Sequence, residues 1–313
     1  MSKNTKIGGR LTATTNSAKT IIERAKREVP GFVEEYQKFE EQMVIGGYSS
    51  STLFNYSRAV GSLSLHLKKS PLELDDDEIN SFLYSVAKEK KASSTYFKHM
   101  VYGLRFFFRL HEREDRVIKL PTISNDRKLP VILSREELKR LFVSPQRLKQ
   151  KVLLAFIYSA GLRVGEASRL KISDIDSDRM QVRVEKSKGK VDRYVPLGSY
   201  ALKGLRKYIK SSKPKTYLFN GRNKGTPLST SAMQQSFRLA KEKAGIIKDV
   251  SVHSLRHTYA THLLEEGVDI VTIKELLGHA TIETTMMYLH VAKVDRMNAH
   301  SPLDTLYNSE TTA

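Results

Sequence analysis

His253-Ser254-Leu255-Arg256-His257, then Leu277-Gly278-His279, then Tyr288 nine positions past His279, is the stretch that decides how this chain reads. Far upstream, Gly161-Leu162-Arg163-Val164-Gly165-Glu166 supplies a second arginine. Two arginines, two or three histidines and one tyrosine, with no acidic cluster among them, suit a phosphodiester better than a sugar or a peptide. A guanidinium is a planar fork of donors that matches two phosphate oxygens at once. A tyrosine beside such a clamp can act as an oxygen nucleophile toward phosphorus. The combination points to cutting and rejoining a nucleic-acid strand through a covalent protein–phosphate bond.

The composition agrees with a polyanionic partner. The chain has 313 residues, enough for two domains with separate cores. It carries 53 Lys+Arg against 34 Asp+Glu, a net charge of +19, which favours nucleic acid through attraction and counterion release. An acidic membrane surface would satisfy the charge equally well, but the longest apolar stretch, residues 152–158, is too short to span a bilayer and reads as buried core. The first residues are basic without an apolar core region or cleavage signal, so no secretory peptide is expected. Cysteine is absent, which removes disulfides and thiolate metal sites. The expectation is a soluble DNA-binding protein of a reducing compartment, cytoplasmic and nucleoid-associated, with no membrane contact.

Outward from the motif, the chain divides by its periodicity. Residues 1–28 are basic with little apolar patterning and read as an arm or weak helix. Residues 29–118 read as a helical bundle. Leu53, Tyr56, Val60, Leu63 and Leu67 make one stripe behind a Ser49-Ser50-Ser51 start; Ile79, Phe82, Leu83 and Val86 make a second; Tyr96, Met100, Leu104, Phe107 and Phe108 make a third. A fourth helix covers 32–43. Arg58, His66, Lys98, His99 and Arg105 decorate these stripes and, on a basic protein, suit a clamp along a duplex. Residues 119–132, with Pro121 and Pro130, read as a linker.

A second domain, 133–300, opens on a capping box: Ser134 as N-cap, Glu137 at the third helical position, Leu133 and Leu138 as the staple. An apolar helix over 148–159 ends at Gly161. Alternation over 181–185 and 191–197 predicts a β-hairpin. Helices follow at 200–209, 229–244, 255–265, 270–277 and 282–289, with Gly267 and Gly278 as C-terminal stops and Asp269 and Thr281 as N-caps. The tail, 301–313, is polar apart from Leu303, Leu306 and Tyr307, which suit docking on a neighbouring subunit. The fold class expected is mainly α with a small β-hairpin or sheet.

Metal-free cleavage of a phosphodiester needs positive charge around the nonbridging oxygens, and Arg163 and Arg256 are the candidates. Tyr288 starts from a phenol pKa of about 10, so proton removal or phenolate stabilisation falls to His253 or a clamp arginine. The departing 5′-oxygen needs a proton, which Lys186, Lys188 or Lys190 on the hairpin could give. A zinc site is disfavoured: His253 and His257 have i, i+4 spacing, but the residues between are Ser, Leu and Arg, with no acidic base as in H-E-x-x-H. His257 and His262 read instead as packed or supporting residues.

Taken together, these motifs resemble the tyrosine recombinases, or phage-integrase family, including Xer-type resolvases and transposon integrases. The resemblance covers roughly residues 30–300. It rests on Gly161-Leu-Arg163-Val-Gly-Glu166, Lys188-Gly189 ahead of Arg193-Tyr-Val-Pro-Leu197, His253-x-Leu-Arg256-His257 with Ala260-Thr261-His262, Leu276-Leu-Gly-His279, and Thr284-Thr-x-x-Tyr288-x-His290-Val291. It implies an N-terminal helical domain and an α+β catalytic domain closing as a C-shaped clamp around double-stranded DNA at specific recombination sites. It implies that Arg163 and Arg256 grip the scissile phosphate, Lys188 protonates the leaving oxygen, His253 assists Tyr288 as base, and His279 donates a hydrogen bond to the phosphate. Glu166 would support the arginines. The hairpin departs from the family's common Lys-Gly-x-Lys, and counting back from Arg193 favours Lys188 among the three lysines. A 3′-phosphotyrosine conserves the bond energy, so no cofactor or metal is implied. The same resemblance implies a homotetramer exchanging strands through a four-way junction, with accessory DNA-bending proteins. A type IB-like topoisomerase and a non-catalytic DNA-binding protein are the competing readings.

Overall fold

The computed structural model describes residues 11–88, 94–121, 129–185, 192–223 and 225–292. The chain divides into two compact units, Met1–Asp126 and Arg127–Ala313.

Among the described residues the first unit is helical: α1 (Leu11–Glu28), α2 (Phe32–Ile45), α3 (Ser50–Leu67), α4 (Asp76–Lys88), α5 (Ser94–Leu110) and the short α6 (Glu114–Lys119). The starts are chemical. Ser49 caps α3 by accepting from the Thr52 amide, and Asp75 and Glu78 exchange side-chain and backbone hydrogen bonds at the start of α4. The three stripes read from the sequence line the core, where Val60, Leu63, Leu104, Phe107 and Phe108 are fully buried. Gly103 sets the spacing of α3 and α5, since a Cβ there would lie 2.9 Å from the Ala59 Cβ and 3.0 Å from the Tyr56 Cα.

One segment goes further than its reading. The residues read as an arm or weak helix form, from Leu11 onward, a helix packed on α3, with Ile22 and Ala25 buried and Val29 continuing the line just past its end. Their three-four spacing is a short apolar stripe that the surrounding lysines and arginines mask. Three of the basic decorations also have intramolecular partners. The Arg58 guanidinium sits 4.8 Å over the Tyr96 ring, His66 packs on Phe82, and Arg105 donates to the carbonyls of Leu120 and Pro121.

The second unit opens with α7 (Arg135–Val143), whose capping box forms as read: Ser134 Oγ accepts from the Glu137 amide and Glu137 Oε2 from the Ser134 amide. The apolar α8 (Leu148–Ser159) runs through the core, with Leu153, Leu154 and Ile157 fully buried. Gly161, at φ 57°, turns the chain into α9 (Val164–Arg169); a Cβ there would lie 2.5 Å from the Tyr259 ring. A three-stranded antiparallel sheet follows, β1 (Ile175–Asp176), β2 (Gln181–Val184) and β3 (Arg193–Pro196), with Val182 opposite Val195 and Val184 opposite Arg193. The hairpin strands were legible; the two-residue β1 was not. The remaining helices are α10 (Ser199–Ser212), α11 (Thr230–Lys243), α12 (Val252–Glu265), α13 (Ile270–Leu277) and α14 (Glu283–Met286).

The helix expected over 282–289 is the second difference. It is the four-residue α14 followed by a 3₁₀ turn, Met287–His290, and Thr281 is not its N-cap. Ile282 occupies that position with no side-chain cap, and the Thr285 hydroxyl is committed to His279. Consecutive β-branched threonines are poor helix interior residues, so the turn stays short.

Candidate active site

The end of α13 organises the cationic side of the site. Its last carbonyls have no partners within the helix and carry the negative end of its dipole. Arg193 Nε donates to the Leu276 carbonyl at 2.8 Å, Arg256 Nη2 to that of Leu277 at 2.6 Å, and Arg163 Nη2 to that of Gly278 at 3.4 Å. Arg163 Nη1 adds a bond to Leu277 O at 3.3 Å. Gly278, in the left-handed region at φ 61°, then turns the chain so that His279 follows directly.

Glu166 binds the same arginines from the other direction. Its Oε1 accepts from Arg163 Nη1 at 3.0 Å and Arg193 Nη1 at 2.9 Å; its Oε2 accepts from the Arg163 amide at 2.8 Å and Arg193 Nη2 at 2.7 Å. Arg256 Nη1 lies 3.9 Å from Oε2 and donates to the Gly161 carbonyl at 2.7 Å. Burial of Glu166 works against its charge, but the Arg193 hydrogen bonds and the surrounding guanidiniums prevail and hold its pKa at about 2. Burial, followed by repulsion from Arg163, brings the almost fully enclosed Arg256 down to about 9, where it still carries its charge at neutral pH.

Arg193 is the member that the sequence reading left out, having served there only as a reference mark for counting. The signal was available. Strand β3 alternates with Arg193 and Val195 inward and Tyr194 outward, and an inward arginine calls for a buried acid.

The other side of the site is held by histidines. Tyr288 is 1 % exposed, in a small core of its own with Tyr259, Ala260, Ile273 and Leu277. Its hydroxyl is 3.1 Å from His257 Nδ1, and the His279 ring stacks parallel to it at 6.4 Å between centroids. His279 Nδ1 is 2.9 Å from the Thr285 hydroxyl; with Thr285 donating, the proton of His279 stands on Nε2. Desolvation and then the charges of Arg256 and Arg163 push His279 down to about 3, so the ring is neutral. Burial chiefly, then His253 and Arg256, lower His257 to about 4. His253 reaches solvent at the head of α12, edge-on to His257 at 4.7 Å, and its pKa is lowered by desolvation and by the two clamp arginines. Burial raises the Tyr288 pKa, with Arg256 and Arg163 pulling the other way.

The structure therefore gathers Arg163, Arg256, His253, His279 and Tyr288 into one neighbourhood of the second unit. Lys186, Lys188 and Lys190 lie outside the described residues. His262 packs as read, its Nδ1 2.9 Å from the Tyr158 hydroxyl. His257, read as packed or supporting, instead meets the tyrosine oxygen.

Two family models match the chain: the phage integrase family over residues 132–294, and the N-terminal SAM-like domain of phage integrase over 36–116. The chain is 34 % identical over 269 residues to a tyrosine recombinase of Thermosipho africanus, covering 80 % of this chain and 93 % of that protein. It is 31 % identical over 297 residues to tyrosine recombinase XerC of Bacillus subtilis, covering 87 % and 94 %. In fold it is similar to a lambda integrase crystallised as a tetramer on a Holliday junction, with a TM-score of 0.69, 21 % identity, and 91 % and 89 % of the two chains covered. This chain belongs to the phage integrase family, the tyrosine recombinases.

Proposed function

We propose that this protein is a site-specific DNA recombinase or integrase that cuts and rejoins strands through a 3′-phosphotyrosine and a Holliday junction. The observation that carries this reading is one phenol, Tyr288, whose hydroxyl meets His257 and whose ring stacks on His279, the residue that follows the α13 end where Arg256 and Arg163 converge. Arg163 and Arg256 grip the scissile phosphate, preorganised by Glu166 and the α13 carbonyls so that charge on the pentavalent oxygens meets donors already in place. His279 donates to the phosphate from Nε2, as its tautomer allows. His253 serves the deprotonation of Tyr288, and Lys188 protonates the leaving 5′-oxygen. No cofactor or metal has a role in these steps.

The partner is double-stranded DNA carrying specific recombination sites. Both units contact the duplex, and four protomers hold two duplexes with accessory DNA-bending proteins setting direction. The residues 301–313 lie outside the described residues; the apolar character of Leu303, Leu306 and Tyr307 in a polar tail suits an inter-protomer contact in that assembly. Because Tyr288 is buried, the short turn that carries it has to yield for a phosphate to reach the phenol.

The test uses a randomised pool of nicked duplexes, with covalent protein–DNA recovered after denaturation. Wild type accumulates an adduct that resists EDTA and weakens with salt, as phosphate contacts require; Tyr288→Phe accumulates none. An adduct that persists in Tyr288→Phe rejects the reading. Relaxation of arbitrary supercoiled plasmid by a monomer would favour a type IB-like topoisomerase.

A further inference from the structure

We propose that His257, not only the histidine four residues before it, is a catalytic residue: its Nδ1 holds the Tyr288 hydroxyl and takes its proton during attack on phosphorus. The inference rests on the recombinase reading above and assigns a role within it.

Three observations carry it. His257 Nδ1 is the group that meets the Tyr288 oxygen, at 3.1 Å, within reach for direct proton transfer. The backbone that carries the phenol is a four-residue helix and a 3₁₀ turn with no capping side chain, and the ring is held by its small apolar core and by His279, neither of which the hydroxyl hydrogen-bonds. His257, by contrast, projects from the middle of α12, a fourteen-residue helix packed on α8 and buried along most of its length. The hydrogen bond ties the phenol oxygen on its short turn to a long, packed helix. His253 reaches solvent and touches His257 edge to face at 4.7 Å, so its effect on the phenol passes through His257.

The ionisation state agrees. The groups that face this imidazole are His253 and Arg256 on its own helix, Tyr288 on the 3₁₀ turn and His279 after α13. With burial first and then His253 and Arg256 against protonation, the ring is neutral at rest, and in the tautomer that carries its proton on Nε2 its Nδ1 accepts from the phenol. The Tyr288 O–H bond breaks and its proton passes to His257 Nδ1 as the phenolic oxygen bonds to phosphorus. The P–O5′ bond breaks, and the 5′-oxygen takes its proton from the hairpin lysine. The imidazolium returns its proton to the phenol when the strand is rejoined.

The experiment compares His257→Ala, His257→Asn and His257→Gln by the single-turnover rate of adduct formation on the same nicked-duplex pool, at saturating DNA. Asparagine places an amide oxygen near the position of Nδ1, whereas glutamine reaches that of Nε2. His257→Ala should lose on the order of 10²-fold in rate, within the usual range for a general base, with little change in DNA affinity. His257→Asn should recover part of the loss and His257→Gln little. Added imidazole should speed His257→Ala, which a purely structural role would not permit. A second measurement is independent of DNA: the nitrogen NMR shift of His257 Nδ1 in the full chain should report an unprotonated acceptor that changes in Tyr288→Phe. An unchanged or faster His257→Ala overturns the proposal, as does equal loss in all three variants together with a fall in Tm, or an Nδ1 shift indifferent to Tyr288→Phe. If wild type itself forms no adduct, the recombinase reading fails instead.

Discussion

The two sides of the site are built differently. The arginine side is over-determined: one carboxylate, three guanidiniums and three successive carbonyls at the end of α13 share more than half a dozen hydrogen bonds. The tyrosine side hangs on a short turn, a five-residue core and two histidine contacts. Elements with few contacts open at lower cost than packed ones. The difference suits the chemistry. Charge stabilisation works best from groups that need no rearrangement at the moment of reaction, whereas a nucleophile that must meet a phosphate and later release it has to move.

The largest break in that comparison should come from the most enclosed arginine. Arg256→Ala should lower the single-turnover adduct rate by about 10²–10³-fold, as loss of one preorganised donor does. Arg256→Lys should restore little, because an ammonium cannot span both the Gly161 and Leu277 carbonyls. Recovery of full rate by lysine would mean that charge alone, not the rack of carbonyls, sets the clamp.

Arg193→Met should act on stability first. The Arg193–Glu166 pair is 7 % and 8 % exposed, and removing one partner of such a pair costs about 3–5 kcal/mol. Chemical denaturation should show that loss, and Arg193→Met/Glu166→Gln together should lose less than the two single changes added. Strict additivity would show that the two side chains do not act as a unit.

Acidification should separate the two sides without mutation. His279 and His257 have folded pKa values below their ordinary 6.5, at about 3 and about 4. Their contribution is complete above pH 6.5 and is lost as pH falls toward those values, because the unfolded chain takes up the protons first. Glu166, with its ordinary value of 4.5 lowered to about 2, contributes fully above 4.5 and is lost only as pH falls toward 2. Thermal unfolding from pH 7 to 3 should therefore show the tyrosine side weakening first, and His279→Asn should flatten the upper part of the profile. A profile flat down to pH 4.5 in wild type would contradict neutral, buried histidines.

Much of this was legible in the residues. The stripes of α3, α4 and α5, the capping box of α7, the apolar α8 and the pairing of β2 with β3 all follow from spacing and turn chemistry. The places where reading and structure diverge share one cause. Residues 11–28 read as no more than an arm or weak helix because charge dominates a segment whose apolar stripe is Ile22, Ala25 and the following Val29, and such a stripe acquires value only when α3 lies against it. The turn around Tyr288 looked like a helix because Ile282 and Leu289 fit the period, while the competing bond from Thr285 to His279 joins residues on separate elements. His257 looked like packing because nothing in a linear motif tells which of two histidines on one helix face will meet a phenol 31 residues later.

The sequence by itself determined the inventory: two helical units, a hairpin, and a set of arginines, histidines and one tyrosine whose chemistry suits a phosphodiester. Propensity, periodicity and capping are local properties, and residue types carry their own acid–base character. The tertiary structure alone decided the pairings, that Arg193 joins Glu166, that three guanidiniums converge on the end of α13, and that His257 holds the phenol. Those contacts close loops of tens to more than a hundred residues, and only the packing of the whole domain brings such distant groups within hydrogen-bond range.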